Sequence, residues 1–184
     1  MQGLRLLDAI DESRRAGLIS LERLRDRAVQ LGKHRGAVEI RRLFRQGLLD
    51  QDGEGERRLA RALASVELYP AWGVEIVRGV IVDACLPTSS LIPEFDGMKW
   101  HLPGRRSLDG ARRGTLEADG WAFEPVTWDD VIHRPERTAT RIRARHDARI
   151  AAGLGRPPGW RPFRPGRHFC GRLPDTTSGK RPQI

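Results

Sequence analysis

A chain of 184 residues has room for one α/β domain with an extension, and not for two large independent domains. Its 33 Lys and Arg against 24 Asp and Glu give a net charge of +9, which directs attention to polyanions, nucleic acid first, through phosphate neutralisation and counterion release. Two cysteines, Cys85 in an apolar run and Cys170 in a polar tail, exclude a disulfide framework and a four-cysteine zinc site.

Leu4, Leu7 and Ile10 recur at helical spacing before Gly17, and Ser20 caps a second periodic run through Leu21, Leu24, Ala28 and Leu31. Gly32 ends that run. Val38, Arg41, Arg42 and Arg45 then populate a third helix with separate apolar and basic faces, stopping near Gly47. Residues 1–50 are thus expected to form an arginine-rich helical arm.

After the turn-like stretch 50–55, Leu59, Leu63 and Val66 mark an amphipathic helix with Glu56 at the border of its buried face, closed by Pro70. Three β-like runs follow at 73–77, 80–86 and 91–96, and a β-meander is the simplest arrangement for them. Helical spacing returns between Leu108 and Asp119, Trp121 to Thr127 reads as a strand, and Thr127 with Asp130 forms a capping box for one final helix. Along that helix Arg134, Arg137, Arg141 and Arg145 make a basic stripe suited either to a phosphate backbone or to solvent beside Glu136 and Asp147. From Gly153 onward prolines alternate with arginines and glycines, which predicts a disordered basic tail over 153–184.

No signal-peptide core and no run near the roughly 20 apolar residues of a membrane span is visible, so a cytoplasmic setting without membrane contact is expected. The predominance of arginine, with Lys33, Lys99 and Lys180 the only lysines, suits bidentate phosphate contacts, although GC-rich codon usage produces the same bias.

The acids carry the chemistry. Asp83 lies within Val80-Ile81-Val82-Asp83-Ala84-Cys85-Leu86, where an unpaired carboxylate in an apolar strand would pay a desolvation penalty and calls for compensation. Glu94 and Asp96 follow at i and i+2, on one face of a regular strand, and Glu56 on the preceding helix is placed to join them. Clustered carboxylate oxygens suit Mg²⁺ or Mn²⁺ rather than zinc, and such an ion activates water against a phosphodiester. Lys99 and His101 are candidates for a supporting base or positive group. The competing reading makes Asp96-Gly97 a hairpin turn and pairs Asp83 with one of many arginines.

The stretch from Glu56-Arg57-Arg58-Leu59 through Val82-Asp83-Ala84, Glu94-Phe95-Asp96-Gly97 and His101, then Asp109, Arg112, Leu116 and Gly120-Trp121, to Val126-Thr127, Asp130-Val131 and Pro135, resembles the very-short-patch-repair-like endonuclease-domain proteins of actinobacteria. These belong to the broad PD-(D/E)xK restriction-endonuclease-like superfamily. The Leu6-Leu7-Asp8 and Gly17-Leu18-Ile19-Ser20-Leu21 stretches are similar to the helical connector that precedes the domain in that family. The resemblance implies a restriction-endonuclease-like αβββαβ core over 54–152 and phosphodiester hydrolysis. It also implies Asp83 and Glu94 as principal metal ligands, Glu56 and Asp96 as auxiliary carboxylates, and His101 as a proton-transfer or leaving-group assistant. Two departures stand out: Asp96 replaces the superfamily's usual lysine, and Pro93 removes a strand amide next to Glu94. Many longer relatives begin with a winged-helix module that has no counterpart here, so a DNA-targeting unit is expected either to be missing or to be supplied by a protein partner.

The sequence therefore supports a metal-dependent DNA endonuclease, active or impaired, with Lys99, Arg112, Arg137, Arg141 and Arg145 as nucleic-acid contacts. The alternative is a noncatalytic nucleic-acid-binding or antitoxin-like regulatory protein.

Overall fold

The computed structural model describes residues 2–49, 51, 53–96, 105–157 and 159–163, with the side chains of 2–4, 96 and 105–109 outside that description. Three helices come first, α1 (Gln2–Arg15), α2 (Leu21–Gln30) and α3 (Arg35–Arg45). Ser20 caps α2 as its sequence position demands, its hydroxyl accepting from the Arg23 N–H at 3.2 Å. Leu7 and Ile10 of α1 meet Leu43 and Leu49 in a small core of their own. Arg41 of α3 donates to the Ala28 and Gly32 carbonyls, satisfying acceptors that the end of α2 leaves without helical partners.

The arm is fastened to α4 (Glu54–Ser65) by one arginine. Arg61 reaches Asp8 at 3.0 Å and the buried Asp11 at 2.6 Å, while Leu48 packs against both the arm core and the domain core.

Strands β1 (Ala71–Val77) and β2 (Val80–Cys85) form an antiparallel hairpin about Arg78-Gly79. Gly79 has φ +81°, a conformation a side chain would oppose. Strand β3 (Leu91–Asp96) pairs in parallel with β4 (Ala122–Thr127), and α5 (Arg105–Ala118) makes the crossover between them. β2 and β3 join through a single antiparallel bridge, Leu86 to Leu91, with N···O distances of 2.7 and 3.2 Å. Pro93 explains why the ladder stops there. The next hydrogen-bonded antiparallel pair would be Ala84 with Pro93, which has no N–H to give. The amide is missing on the β2 side only, so β3 holds its register with β4 from Leu91 to Asp96 and Glu94 is not displaced.

The architecture is mixed α/β, with helices on both sheet faces. Leu59 and Leu63 of α4, Val131 of α6 (Trp128–His133) and Ile142 of α7 (Pro135–Ala151) cover Ala84, Leu91 and Val126 on one face. Leu116 of α5 covers Cys85, Ile92 and Phe123 on the other. Each fully buried leucine contributes about 1.5–3 kcal/mol of transfer free energy. Burial pushes the Cys85 thiol up to about 12, which makes it an inert core residue rather than a nucleophile.

Two expectations need correction. The final helix is two helices: Arg134, at φ −135° and ψ 40°, precedes Pro135, whose ring excludes the α conformation from its predecessor, and α7 starts with that proline. The tail is not disordered from 153. Trp160 stacks edge-on against Trp121 at 5.5 Å, Arg156 lies over the Trp121 ring at 4.7 Å, and the Arg156 N–H donates to the Pro87 carbonyl at 2.9 Å. An indole and a guanidinium supply the burial that the missing apolar period led one to discount. Residues 164–184 lie outside the described residues.

Candidate functional site

The Leu86–Leu91 bridge sets β2 beside β3, with Asp83 three residues before it and Glu94 three residues after it. Cys85 and Ile92, two residues away along each strand, are both buried in the cluster that contains Leu116 of α5, and strand alternation gives Asp83 the parity of Cys85 and Glu94 that of Ile92. Both carboxylates are exposed, as is Ile81 beside them. The desolvation penalty expected for Asp83 is therefore absent, because its side chain is exposed.

Helix α5 is tied to these strands at two points. Arg112 donates to the Ile81 carbonyl of β2. Arg113 carries its Cζ over the Phe123 ring, 4.6 Å from the centroid, donates through Nε to Glu117 at 3.0 Å, and brings Nη1 to 3.9 Å from a Glu94 oxygen. The first contact grips β2 and the second β3 and β4.

The other predicted ligands are placed differently. Glu56 occupies the first turn of α4, where its carboxylate accepts from the Gly53 N–H at 3.5 Å, half of a capping box since glycine has no side chain. The start of α4 packs on Phe95, the sheet face opposite Glu94. Asp96 ends β3 beside Thr127, with its side chain outside the described residues, as are Lys99 and His101. Among the described residues no group of three or more His, Cys, Asp or Glu side chains is placed to hold a metal ion. Of the expected set, Asp83 and Glu94 are the two with described side chains that lie on neighbouring strands, and carboxylate oxygens are the donors that suit Mg²⁺ or Mn²⁺.

The basic stripe has a structural partner that the sequence reading missed. Glu124 of β4 is 4% exposed, and both Arg141, at 2.7 Å, and Arg145 pair with it. Arg141 also approaches Asp130 at 3.6 Å. Hydrogen bonds from the Thr127 N–H and hydroxyl, helped by Arg141 and Arg137, hold the Asp130 carboxyl below its usual range. Arg134 leaves the stripe to pair with Asp129, and Arg143 takes Asp147 at 2.8 Å. A signal for Glu124 existed: it shares strand parity with the buried Val126, and two arginines four residues apart face it.

A second missed residue is the buried His146. His146 Nδ1 and Ser89 Oγ share a 2.7 Å hydrogen bond that pins the β2–β3 connection to α7, and the Ser89 hydroxyl also lies 3.2 Å from the Leu86 carbonyl. Arg149 adds a 2.6 Å bond to the Ser89 carbonyl. Desolvation lowers the His146 pKa from 6.5, Asp147 opposing and Arg143 assisting. The neutral ring is favoured by folding, so this stability is present above about pH 6.5 and lost as pH falls through the lower folded value. Thermal melting from about pH 7 to about pH 5 should therefore show a falling midpoint, and His146→Asn, which keeps a hydrogen-bonding group near Nδ1, should flatten the upper part of that decline. An unchanged pH profile in the variant would assign the decline to other groups.

Among known proteins, the chain is 32% identical over 151 residues to Uncharacterized protein MT2308 and to Uncharacterized protein Rv2248, from two strains of Mycobacterium tuberculosis. The matched region is 77% of this chain and 54% of each relative. The chain spans about half the length of the curated relatives it matches. No protein-family model and no solved structure matches it. Among the described residues no helix is long and apolar enough to cross a membrane.

Proposed function

We propose that residues 54–163 form a restriction-endonuclease-like domain of a metal-dependent DNA endonuclease, with Asp83 and Glu94 as the carboxylates that hold Mg²⁺ or Mn²⁺. One observation carries this reading: Asp83 and Glu94 are exposed carboxylates on two strands joined by the Leu86–Leu91 bridge, each two residues from a buried position, Cys85 and Ile92, of one core cluster. The order α4, β1, β2, β3, α5, β4 supports it, being the αβββαβ order that the resemblance implies. A bound divalent ion would polarise a scissile phosphate and lower the pKa of an attacking water. The chain's own part is to fix Glu94 through β3–β4 pairing and Asp83 through the β1–β2 hairpin, and to offer arginine to the phosphate. Asp96 and His101 retain the auxiliary roles that the resemblance implies.

The test is nicking of supercoiled plasmid by the whole chain in Mg²⁺, Mn²⁺ or EDTA. Cleavage is expected with metal only, and Asp83→Ala should lower it at least about a hundredfold while leaving the melting temperature near that of the parent, since Asp83 is exposed. Cleavage that persists in EDTA, or in the variant, would reject the site.

A second reading, a noncatalytic nucleic-acid-binding or antitoxin-like regulator, draws on the net charge of +9 and the arginines of α7. It predicts no cleavage and salt-sensitive DNA binding that survives Asp83→Ala.

A further inference from the structure

The two carboxylates do not stand alone: Arg113 lies beside Glu94. It is held there by two contacts of its own, Cζ over the Phe123 ring and Nε donating to Glu117, and its helix is anchored to β2 by the neighbouring Arg112. Phe123 pairs in register with Ile92, two residues before Glu94, so the ring that supports Arg113 shares the face of Glu94. The ring and the Nε bond restrain the guanidinium, which is half exposed, and the 3.9 Å from Nη1 to Glu94 is an ion-pair distance beyond hydrogen-bond reach. A restrained, half-exposed guanidinium beside a carboxylate suits capture of an oxyanion through its Nη donors.

We propose that Arg113 is the residue that grips the phosphodiester at this site, its Nη donors taking the non-bridging phosphate oxygens while Asp83 and Glu94 serve the cation. This rests on the endonuclease reading for its catalytic consequence, but the phosphate contact itself is independent of cleavage. The ligand class is a nucleic-acid phosphate, and the guanidinium supplies positive charge from α5, an element separate from the strands that bear the acids.

The experiment compares parent, Arg113→Gln and Arg113→Lys, each shown folded by thermal melting, on two readouts. The first is binding of a short fluorescent DNA duplex over a salt series in EDTA. Loss of one phosphate contact should reduce the slope of log affinity against log salt by about one in Arg113→Gln. Arg113→Lys should restore the slope, because it restores the charge. The second is metal-dependent nicking, where Arg113→Gln should lower kcat on the order of tenfold or more, with only partial recovery in Arg113→Lys because lysine cannot form the planar fork. A purely structural Arg113 would shift melting without moving the slope. An unchanged slope in Arg113→Gln overturns the proposal whether or not the parent cleaves. A reduced slope with no cleavage by the parent supports the phosphate contact and removes the endonuclease reading.

Discussion

Replacing Arg141 and Arg145 together by methionine is expected to cost about 3 kcal/mol in urea denaturation, the low end of the range for stripping a buried carboxylate of its partners. Glu124 sits on β4 with its side chain 5% exposed, facing α7 across the cover formed by Ile142. Removal of both guanidiniums would leave that carboxylate buried without compensating charge. The arginines themselves are 43% and 45% exposed, so water can reach part of the gap, which keeps the cost at the lower end. Adding Glu124→Gln to the double variant should recover most of the loss, because the charge that lacked compensation is gone. A loss below about 1 kcal/mol, or no recovery, would show the pairs to be ordinary surface ion pairs. The result also governs how DNA binding by α7 is read. Weaker binding in Arg141 or Arg145 variants counts as lost phosphate contact only when the fold is shown to be intact.

The parts of the fold legible in the sequence were those fixed by neighbouring residues. Ser20 and the Thr127–Asp130 box declared their helices because a cap needs only three or four residues of context. The Arg78-Gly79 turn declared the first hairpin in the same way. Pairing of β3 with β4 was not legible, since it joins segments separated by the whole of α5 and no local pattern distinguishes parallel from antiparallel partners. Pro93 looked like a threat to Glu94 because the side on which its missing amide falls depends on that pairing. The break after Arg134 was legible in principle from Pro135 but was overridden by an arginine spacing that ran on across it. At the site, Asp83 and Glu94 were singled out as an acidic constellation, yet their exposure could not be read from Val80 to Leu86, whose apolar character suggested burial on both faces. Glu124, His146 and Arg113 were missed for one reason: each acts across elements, and the sequence shows only what lies along them.

Gly55→Ala should be more damaging than any helical glycine-to-alanine change has a right to be. In a helix the substitution ordinarily gains about 1 kcal/mol. Here a methyl at position 55 would stand 2.1 Å from the tip of the Phe95 ring, with two further ring carbons at 2.5 and 2.7 Å. The ring cannot simply swing away: it is half-buried against the core that contains Leu59 and Leu63 and meets Trp128 edge-on at 5.9 Å. Overpacking of this kind costs about 1–3 kcal/mol, so the variant should be destabilised by up to about 2 kcal/mol after the helix gain. The consequence reaches the site, because Phe95 follows Glu94 on β3 and displacing the ring outward draws on the same peptide. On the proposed endonuclease reading, metal-dependent nicking should therefore fall several-fold at a temperature where the variant remains folded, about what a shift of an ångström in a positioned carboxylate entails. Shortening the ring in Gly55→Ala/Phe95→Leu relieves the clash and should recover stability and nicking together. Recovery of stability without nicking would assign Phe95 a role in the site beyond packing, and a stable, fully active Gly55→Ala would show that α4 can retreat from β3 at little cost.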